Sequence, residues 1–288
     1  MKDRIYLDAN ASTFVDPQVL SAMVENIETC LGNPSSTHSF GRKSRGVLDA
    51  ARRNIAEFFK VHSDEIIFSS GGTEGLNLCL RGIIGHRYTG HIISSNTEHS
   101  AVHSTLKYLE SMGCELTFLD VGPYGAVTPE LLNEHIRPNT RLISLMAANN
   151  ETGVKTDIEA IAQIAEKKGI SFVVDAVAWL GKEDVFIPKG VSAMCFSGHK
   201  IHAPRGIGAC FIRRGIELTP ILTGGAHEYR KRSGTENLVG IVAFSKAIDI
   251  LRKQLPVASN NIQSMRDYFE EELSNRIPDI PLALAAIT

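Results

Sequence analysis

The sequence predicts an α/β fold, in which a mostly parallel seven-stranded sheet carries helices on both faces. Seven short apolar runs indicate this, because each has the length of a strand and most are apolar at successive positions. Strands that are covered by helices on both faces show such near-continuous runs. The predicted strands are residues 65–68, 91–94, 115–120, 141–147, 171–175, 193–196 and 209–212.

Helix-like stretches separate these runs. They cover residues 75–83, 101–112, 129–135 and 157–168. Asp157, followed by Ile158, Ile161 and Ile164, predicts a capped helix with one buried stripe. Strands that alternate with helices favour a parallel arrangement of the strands.

The two ends of the chain differ from this pattern. Residues 5–7 are strand-like, and a long helix is predicted from Ala243 to Leu255. Beyond it, the sequence predicts a second helical stretch near residues 262–273 and an apolar tail at residues 280–288.

Composition excludes several classes of protein. Hydrophobic residues make up 43% of the 288 residues, charged residues make up 22%, and the net charge is −2. These values are typical of a globular protein and give no basic excess, so we expect neither a nucleic acid nor a membrane as partner. No apolar run is long enough to span a bilayer, and the N-terminus lacks the apolar core of a signal peptide, so we expect a cytoplasmic protein.

Five cysteines are scattered along the chain without a CxxC pair. An odd number at such spacing argues against a disulfide framework and against a zinc ribbon. Cys195 and Cys210 lie inside strand-like runs, and we expect them to be buried thiols.

A glycine pair follows the first predicted strand, in Ser70-Gly71-Gly72-Thr73. Ligands of such sheets bind beyond the carboxyl ends of the strands, and the backbone amides at a helix N-terminus can hold a phosphate. A tight turn with a threonine cap would show the same residues. Neither a Walker A loop nor a GxGxxG fingerprint is present, which disfavours ATP and NAD.

Asp175 ends another predicted strand, and Lys200 follows a further strand of the same edge. Asp175 either caps the segment that follows it or serves as the counter-ion of a protonated ring nitrogen, as in pyridoxal-phosphate (PLP) enzymes. A lysine is usually a solvated surface charge, but a desolvated lysine forms Schiff bases. The combination with a phosphate cradle and a terminal aspartate favours a functional Lys200.

His99 and His103 are four residues apart after Glu98, a spacing that places both on one helix face. Zinc ligation is one interpretation, but no HEXXH motif and no evident third ligand accompany them, and we predict no metal site. We expect His99 to stack on an aromatic cofactor and His103 to be a structural residue.

Taken together, these residues resemble the cysteine desulfurases, which are fold-type-I PLP enzymes of the class-V aminotransferase family. The resemblance covers residues 4–250 in order. The motifs that carry it are Ile5-Tyr6-Leu7-Asp8, Gly32-Asn33-Pro34-Ser35-Ser36, Ser70-Gly71-Gly72-Thr73-Glu74, Thr97-Glu98-His99, Asn149-Asn150-Glu151-Thr152-Gly153, Val174-Asp175-Ala176, Ser197-Gly198-His199-Lys200, Pro204-Arg205-Gly206-Ile207-Gly208 and Arg232-Ser233-Gly234-Thr235-Glu236-Asn237.

The resemblance implies a role for each site residue. Lys200 would hold PLP covalently and move the Cα proton, His99 would stack on the ring, and Asp175 would pair with the ring nitrogen. The residues implied at the phosphate are Gly72, Thr73, Ser197 and His199, with Thr235 reaching the phosphate of a partner subunit. Asn150 would lie beside the ring, and Asn33 and Asn150 at the substrate.

The implied reaction removes sulfur from L-cysteine, giving L-alanine and a persulfide for iron–sulfur cluster assembly or other sulfur transfer. The implied assembly is a homodimer, with a sulfur acceptor or an iron–sulfur scaffold protein as a further partner. Two alternatives remain: a selenocysteine lyase or related PLP lyase, and a non-catalytic PLP-binding scaffold that pairs with a complete homologue.

Two departures from the family bear on activity. The family has a glutamine, hydrogen-bonded to the phenolic oxygen of PLP, where this chain has Ala178. The family's persulfide cysteine and its carboxylate-binding arginine lie in a C-terminal domain, and Cys30 does not match that cysteine. We therefore expect an N-terminal segment (1–15), a PLP-binding large domain (16–255), a C-terminal small domain that is largely missing (256–288), and impaired sulfur transfer.

Overall fold

The computed structural model describes residues 4–122 and 125–277, which form one seven-stranded sheet with helices around it. The strands are β1 (Ile66–Ser69), β2 (His91–Ser95), β3 (Glu115–Leu119), β4 (Thr140–Met146), β5 (Ser171–Asp175), β6 (Ala193–Ser197) and β7 (Gly208–Ile212). Each of them overlaps a predicted strand. The helices are α1 (Pro17–Thr29), α2 (Ser39–Phe59), α3 (Gly72–Ile84), α4 (Ser100–Ser111), α5 (Pro129–His135), α6 (Ile158–Lys168) and α7 (Leu238–Arg276).

The strand order is β1-β7-β6-β5-β4-β2-β3, and the predicted mostly parallel sheet is confirmed. Only β7 runs against its neighbours, β1 and β6. The connection from β6 to β7 spans residues 198–207, which is shorter than a parallel crossover requires. The carboxyl ends of the other six strands consequently meet at one edge of the sheet.

The near-continuous apolar strands arise because both faces of the sheet are covered. In β5, Phe172 and Val174 pack in the core cluster that includes residues of α2, α6 and α7. Val173, between them, packs in the second cluster with residues of α3 and α4. Burying a large apolar side chain stabilises the fold by about 1.5–3 kcal/mol. A one-residue shift in strand register would move each of these side chains to the opposite face, so packing on both faces favours one register.

The C-terminal helix differs from its prediction. α7 runs without a break through Pro256, so the two separate helical stretches were wrong. Proline removes one amide donor and crowds the preceding turn. Pro256 is exposed, so water can reach the backbone oxygen that loses its donor. The division proposed at residues 255–256 lies inside this helix and stays a prediction, and residues 280–288 lie outside the described part.

The N-terminal region also differs. Residues 5–7 do not form a strand, and Ile5 and Leu7 are 86% and 90% exposed, because the described residues offer them no strand to pair with. Helices α1 and α2 were not predicted. The start of α1 carries a clear signal, since Asp16 accepts a hydrogen bond from the amide of Gln18 at 2.7 Å and Pro17 opens the first turn.

Within the described residues, no helix combines the length and the apolar character that crossing a bilayer requires.

Candidate active site

A cavity of about 430 Å³ lies at the edge where the parallel strands end. It brings together all the predicted site residues of the chain except Asn33 and Thr235. The residues that line it are Asp8, Asn10, Ala11, Gly72, Thr73, Leu76, His99, Met146, Ala148, Asn150, Asp175, Val177, Ala178, Ser197, His199 and Lys200.

Lys200 enters this cavity from a short 3₁₀ turn that follows β6. Its Nζ donates a hydrogen bond to the backbone oxygen of Asn10 at 2.6 Å. Burial lowers the pKa of Lys200, the nearby charge of Lys182 lowers it further, and the carboxylates of Asp175 and Asp8 oppose the shift. A lower pKa increases the fraction of neutral amine, which is the nucleophilic form.

Asp175 is the last residue of β5 and is only 6% exposed. Its Oδ1 accepts a hydrogen bond from the amide of Val177 at 2.9 Å, so one oxygen caps the turn that follows the strand. Burial raises the pKa of Asp175, while the hydrogen bond from the amide of Val177 and the charge of Lys200 favour its ionised form. A cationic group bound in the cavity would stabilise this carboxylate further.

The N-terminus of α3 forms another wall of the cavity. Gly71 precedes the helix with φ of 153°, a conformation that a residue with a side chain rarely adopts. A Cβ at Gly72 would lie 2.7 Å from Cγ2 of Val177, so only glycine lets these two segments approach. The amides of the first turn, at Gly72 and Thr73, have no partner inside the helix and are available to an anion.

His99 caps the N-terminus of α4, where its Nδ1 accepts a hydrogen bond from the amide of Ala101 at 3.0 Å. This bond assigns the proton of the neutral ring to Nε2. His103, one turn along the helix, instead stacks on Phe118 with the ring centroids 4.6 Å apart. The two histidines therefore have different surroundings, and the stacking of His99 on a cofactor stays a prediction.

Asn150 is held in the cavity wall through its backbone, whose oxygen accepts a hydrogen bond from Nδ2 of Asn10 at 2.6 Å. The preceding residue, Asn149, fixes this turn because its Oδ1 accepts the amides of Glu151 and Thr152 at 2.8 and 3.0 Å. The loop after β4 therefore has a defined shape, which presents Asn150 to the cavity.

Two predicted residues lie elsewhere in this chain. Oδ1 of Asn33 accepts the amide of Ser35 at 2.8 Å and stabilises a local turn. Thr235 is exposed and lines a different cavity, together with Ser69 and Ser70. The cavity around Lys200 thus forms without these two side chains.

The N-terminal segment supplies cavity residues that sequence reasoning missed. Asp8, Asn10 and Ala11 line the cavity, although they precede the first helix and belong to no strand end. The contact between Asn10 and Lys200 uses a backbone oxygen, which no residue pattern reveals. The one available signal was Asp8, which closes the first motif shared with the family.

None of the five cysteines lines the cavity. Cys79, Cys195 and Cys210 form a buried cluster, with Sγ of Cys195 lying 3.7 Å from the Sγ of each of the other two. The predicted burial of Cys195 and Cys210 is therefore confirmed. Burial raises the pKa of Cys195 and of Cys114, which disfavours the reactive thiolate, while Cys30 is half-buried beside α1.

Comparisons with known proteins identify the same family that the site residues resemble. The model of the family "Aminotransferase class-V" matches residues 5–285. The "Cysteine desulfurase IscS" of Dictyoglomus turgidum (strain DSM 6724 / Z-1310) is 40% identical over 285 residues, which are 98% of this chain and 72% of that protein.

Solved structures with the same fold include a "NIFS-LIKE PROTEIN", with a TM-score of 0.91, 35% identity, and coverage of 94% of this chain and 76% of that one. A structure described as "SspA in complex with cysteine" has a TM-score of 0.83, 34% identity, and coverage of 85% and 72%. The chain therefore belongs to the class-V aminotransferase family, within its group of cysteine desulfurases.

Proposed function

We propose that this chain holds PLP through Lys200 and releases sulfur from L-cysteine, leaving L-alanine. The observation that carries the proposal is the presence, in one cavity, of an amine whose pKa is lowered and a buried carboxylate at the end of a parallel strand. The relatives named as cysteine desulfurases support the same reaction over the alternative lyases.

The cavity residues fit the three reactive parts of PLP. Nζ of Lys200 suits an aldehyde, and the carboxylate of Asp175 suits a protonated pyridine nitrogen. The N-terminus of α3, with the buried hydroxyl of Ser197 beside it, suits a phosphate. Nδ1 of His199 is buried and has no hydrogen-bond partner among residues 4–122 and 125–277, and a bound phosphate would supply one.

Each residue would then have a defined task. PLP, when bound, supplies a conjugated ring that stabilises the negative charge left on the substrate Cα. The neutral amine of Lys200 takes and returns the Cα proton, because its lowered pKa leaves more of the amine unprotonated. Asp175 keeps the proton on the ring nitrogen, and the ring of His99 covers the cavity against water.

Sulfur transfer requires a thiolate at the substrate sulfur. A bond to the acceptor sulfur forms while the carbon–sulfur bond breaks, the electron pair of that bond stays with the substrate carbons, and Cβ takes a proton to become the alanine methyl group. No cysteine of this chain lines the cavity. We therefore propose that the acceptor thiol comes from outside the described residues, for example from a sulfur-accepting or iron–sulfur scaffold protein. Without such a thiol the release of sulfur should be slow, because positioning contributes several kcal/mol to such steps.

The proposal includes a homodimer in which Thr235 serves the partner's phosphate site. Thr235 is exposed and does not line the cavity of its own chain. The neighbouring Arg232 is anchored, since its Nε donates to Oε1 of Glu74 at 2.7 Å. The segment that carries Thr235 is thus attached to the helix that holds the phosphate cradle.

The test is alanine release from cysteine by the PLP-loaded chain, with and without added dithiothreitol. We expect slow release that the thiol accelerates, and no change in Cys30→Ser. Fast release without thiol that Cys30→Ser abolishes would contradict the proposed source of the acceptor. Alanine from selenocysteine but not from cysteine would support the lyase, and none from either would support the non-catalytic scaffold.

A further inference from the structure

Glu98 is a buried acid in the wall of the site. It lies in the turn between β2 and α4, directly before His99, and is 9% exposed. Its Oε1 accepts two hydrogen bonds, from the hydroxyl of Ser95 at 2.9 Å and from the amide of Met146 at 3.0 Å. Its Oε2 is also buried and has no partner among the described residues.

This pattern of contacts fits a protonated carboxylic acid. Oε1 accepts twice, as a carbonyl oxygen does, and Oε2 is the position for the hydroxyl group. An ionised Glu98 would leave negative charge on a buried oxygen without a donor, which is strongly unfavourable. Burial raises the pKa of Glu98 to about 8, and the charge of Asp175 adds to this effect.

Glu98 also connects the elements that carry two site residues. Its turn leads into His99, and its bond to the amide of Met146 joins that turn to the end of β4. Met146 lines the cavity and is paired with Asp175 of β5 in the sheet. The charge of Asp175, on β5, raises the pKa of Glu98, and the charge of Lys200, after β6, favours the ionised form of Asp175. His99, on the same turn as Glu98, is the other titratable group near Asp175.

We propose that Glu98 is a positioning residue: as a neutral acid it joins the turn of His99 to β4 and adds no negative charge beside Asp175. A second negative charge would raise the pKa of Asp175 and weaken its pairing with a ring nitrogen. This role deepens the proposed function and rests on it, whereas the protonation of Glu98 is a property of the chain without PLP.

The first test uses the chain without PLP. Carbon-13 labelling of glutamate, with the Glu98 carboxyl resonance assigned by its loss in Glu98→Gln, should give a titration midpoint near pH 8. A midpoint near 4.5, the ordinary value for glutamate, would overturn the proposal.

Thermal unfolding gives an independent readout. The folded chain keeps this proton up to about pH 8, while an unfolded chain loses it near 4.5, so the parent loses stability as the pH rises between these values. The Tm of Glu98→Gln, relative to the parent, should therefore increase from pH 5 to pH 8 and then level off. The matched control is Glu110→Gln, an exposed acid on α4, whose Tm difference should not follow this pattern. A pH-independent difference for Glu98→Gln would overturn the proposal.

PLP retention tests the positioning role. Glu98→Gln keeps an acceptor for Ser95 and Met146 and should bind PLP within about twofold of the parent. Glu98→Ala removes both bonds and should lose about tenfold, the effect expected from losing the bond to Met146 that joins the turn to β4. Equal losses in both variants, or none in either, would overturn the role. Failure of the parent itself to bind PLP would refute the proposed function and with it this role, while the titration would still decide the protonation of Glu98.

Discussion

Breaking the buried ion pair between Arg52 and Glu228 should lower the free energy of unfolding by an amount that the structure allows us to predict. Nη1 of Arg52 donates to Oε2 at 2.8 Å and Nη2 donates to Oε1 at 2.5 Å, and the two residues are 3% and 4% exposed. Oε2 also accepts the amide of Phe68 at 2.8 Å. Glu228, Tyr229 and Arg230 all have positive φ, which is costly for residues with side chains, so the pair holds a strained turn.

Glu228→Gln keeps the shape and an acceptor for Phe68 but removes the charge that compensates Arg52. Removing one partner of a buried ion pair costs about 3–5 kcal/mol. At about 2 °C for each kcal/mol, the Tm should fall by about 6–10 °C. Glu228→Ala also leaves the amide of Phe68 without its acceptor, which should cost about 1–3 kcal/mol more.

The assay is thermal unfolding of the chain without PLP, with the Tm measured by calorimetry. The matched control is Asp64→Asn, which breaks an exposed ion pair in which Nη2 of Arg214 lies 2.7 Å from Oδ1. Exposed pairs contribute little, so its Tm should stay close to that of the parent. Equal falls in Tm for Glu228→Gln and Asp64→Asn would refute the reasoning that burial decides the cost.

Three further variants test the site. Thr235→Val should weaken PLP retention by about 1 kcal/mol through one lost hydrogen bond, and a PLP-loaded monomer in sedimentation would contradict a shared site. Ala178→Gln adds a donor at the cavity wall and should shift the pH titration of the visible absorption of the PLP-loaded chain, whereas an unchanged titration would show that another donor already serves. Gly72→Ala would place a Cβ 2.7 Å from Val177 and should lower PLP affinity, and unchanged affinity would contradict a close-fitting cradle.

The strands were predictable because burial on both faces leaves apolar residues at successive positions. Phe172, Val173 and Val174 show this, since they pack alternately on opposite faces of the sheet. The helix through Pro256 was not predictable from its residues, because proline removes an amide donor and crowds the preceding turn, which usually ends or kinks a helix. Residues 5–7 looked like a strand. A strand needs a second strand to pair with, and the sequence of residues 5–7 alone does not show whether such a partner exists.

The site was predictable where its side chains follow strand ends. Asp175 and Lys200 come together because the carboxyl ends of parallel strands share one edge. Asn10 was missed because its backbone, rather than its side chain, contacts Lys200. The proposed role of Glu98 was also missed, because the causes that raise its pKa, burial and the nearby charge of Asp175, appear only in the folded chain.

The most direct test of the central claim is the site of covalent PLP attachment. The chain is loaded with PLP, reduced with borohydride, digested and analysed by mass spectrometry. The account predicts one label, on Lys200, lost in Lys200→Ala and retained in Lys182→Ala, a lysine whose pKa is also lowered by burial but which does not line the cavity. A label on Lys182, or the same label in Lys200→Ala, would contradict it.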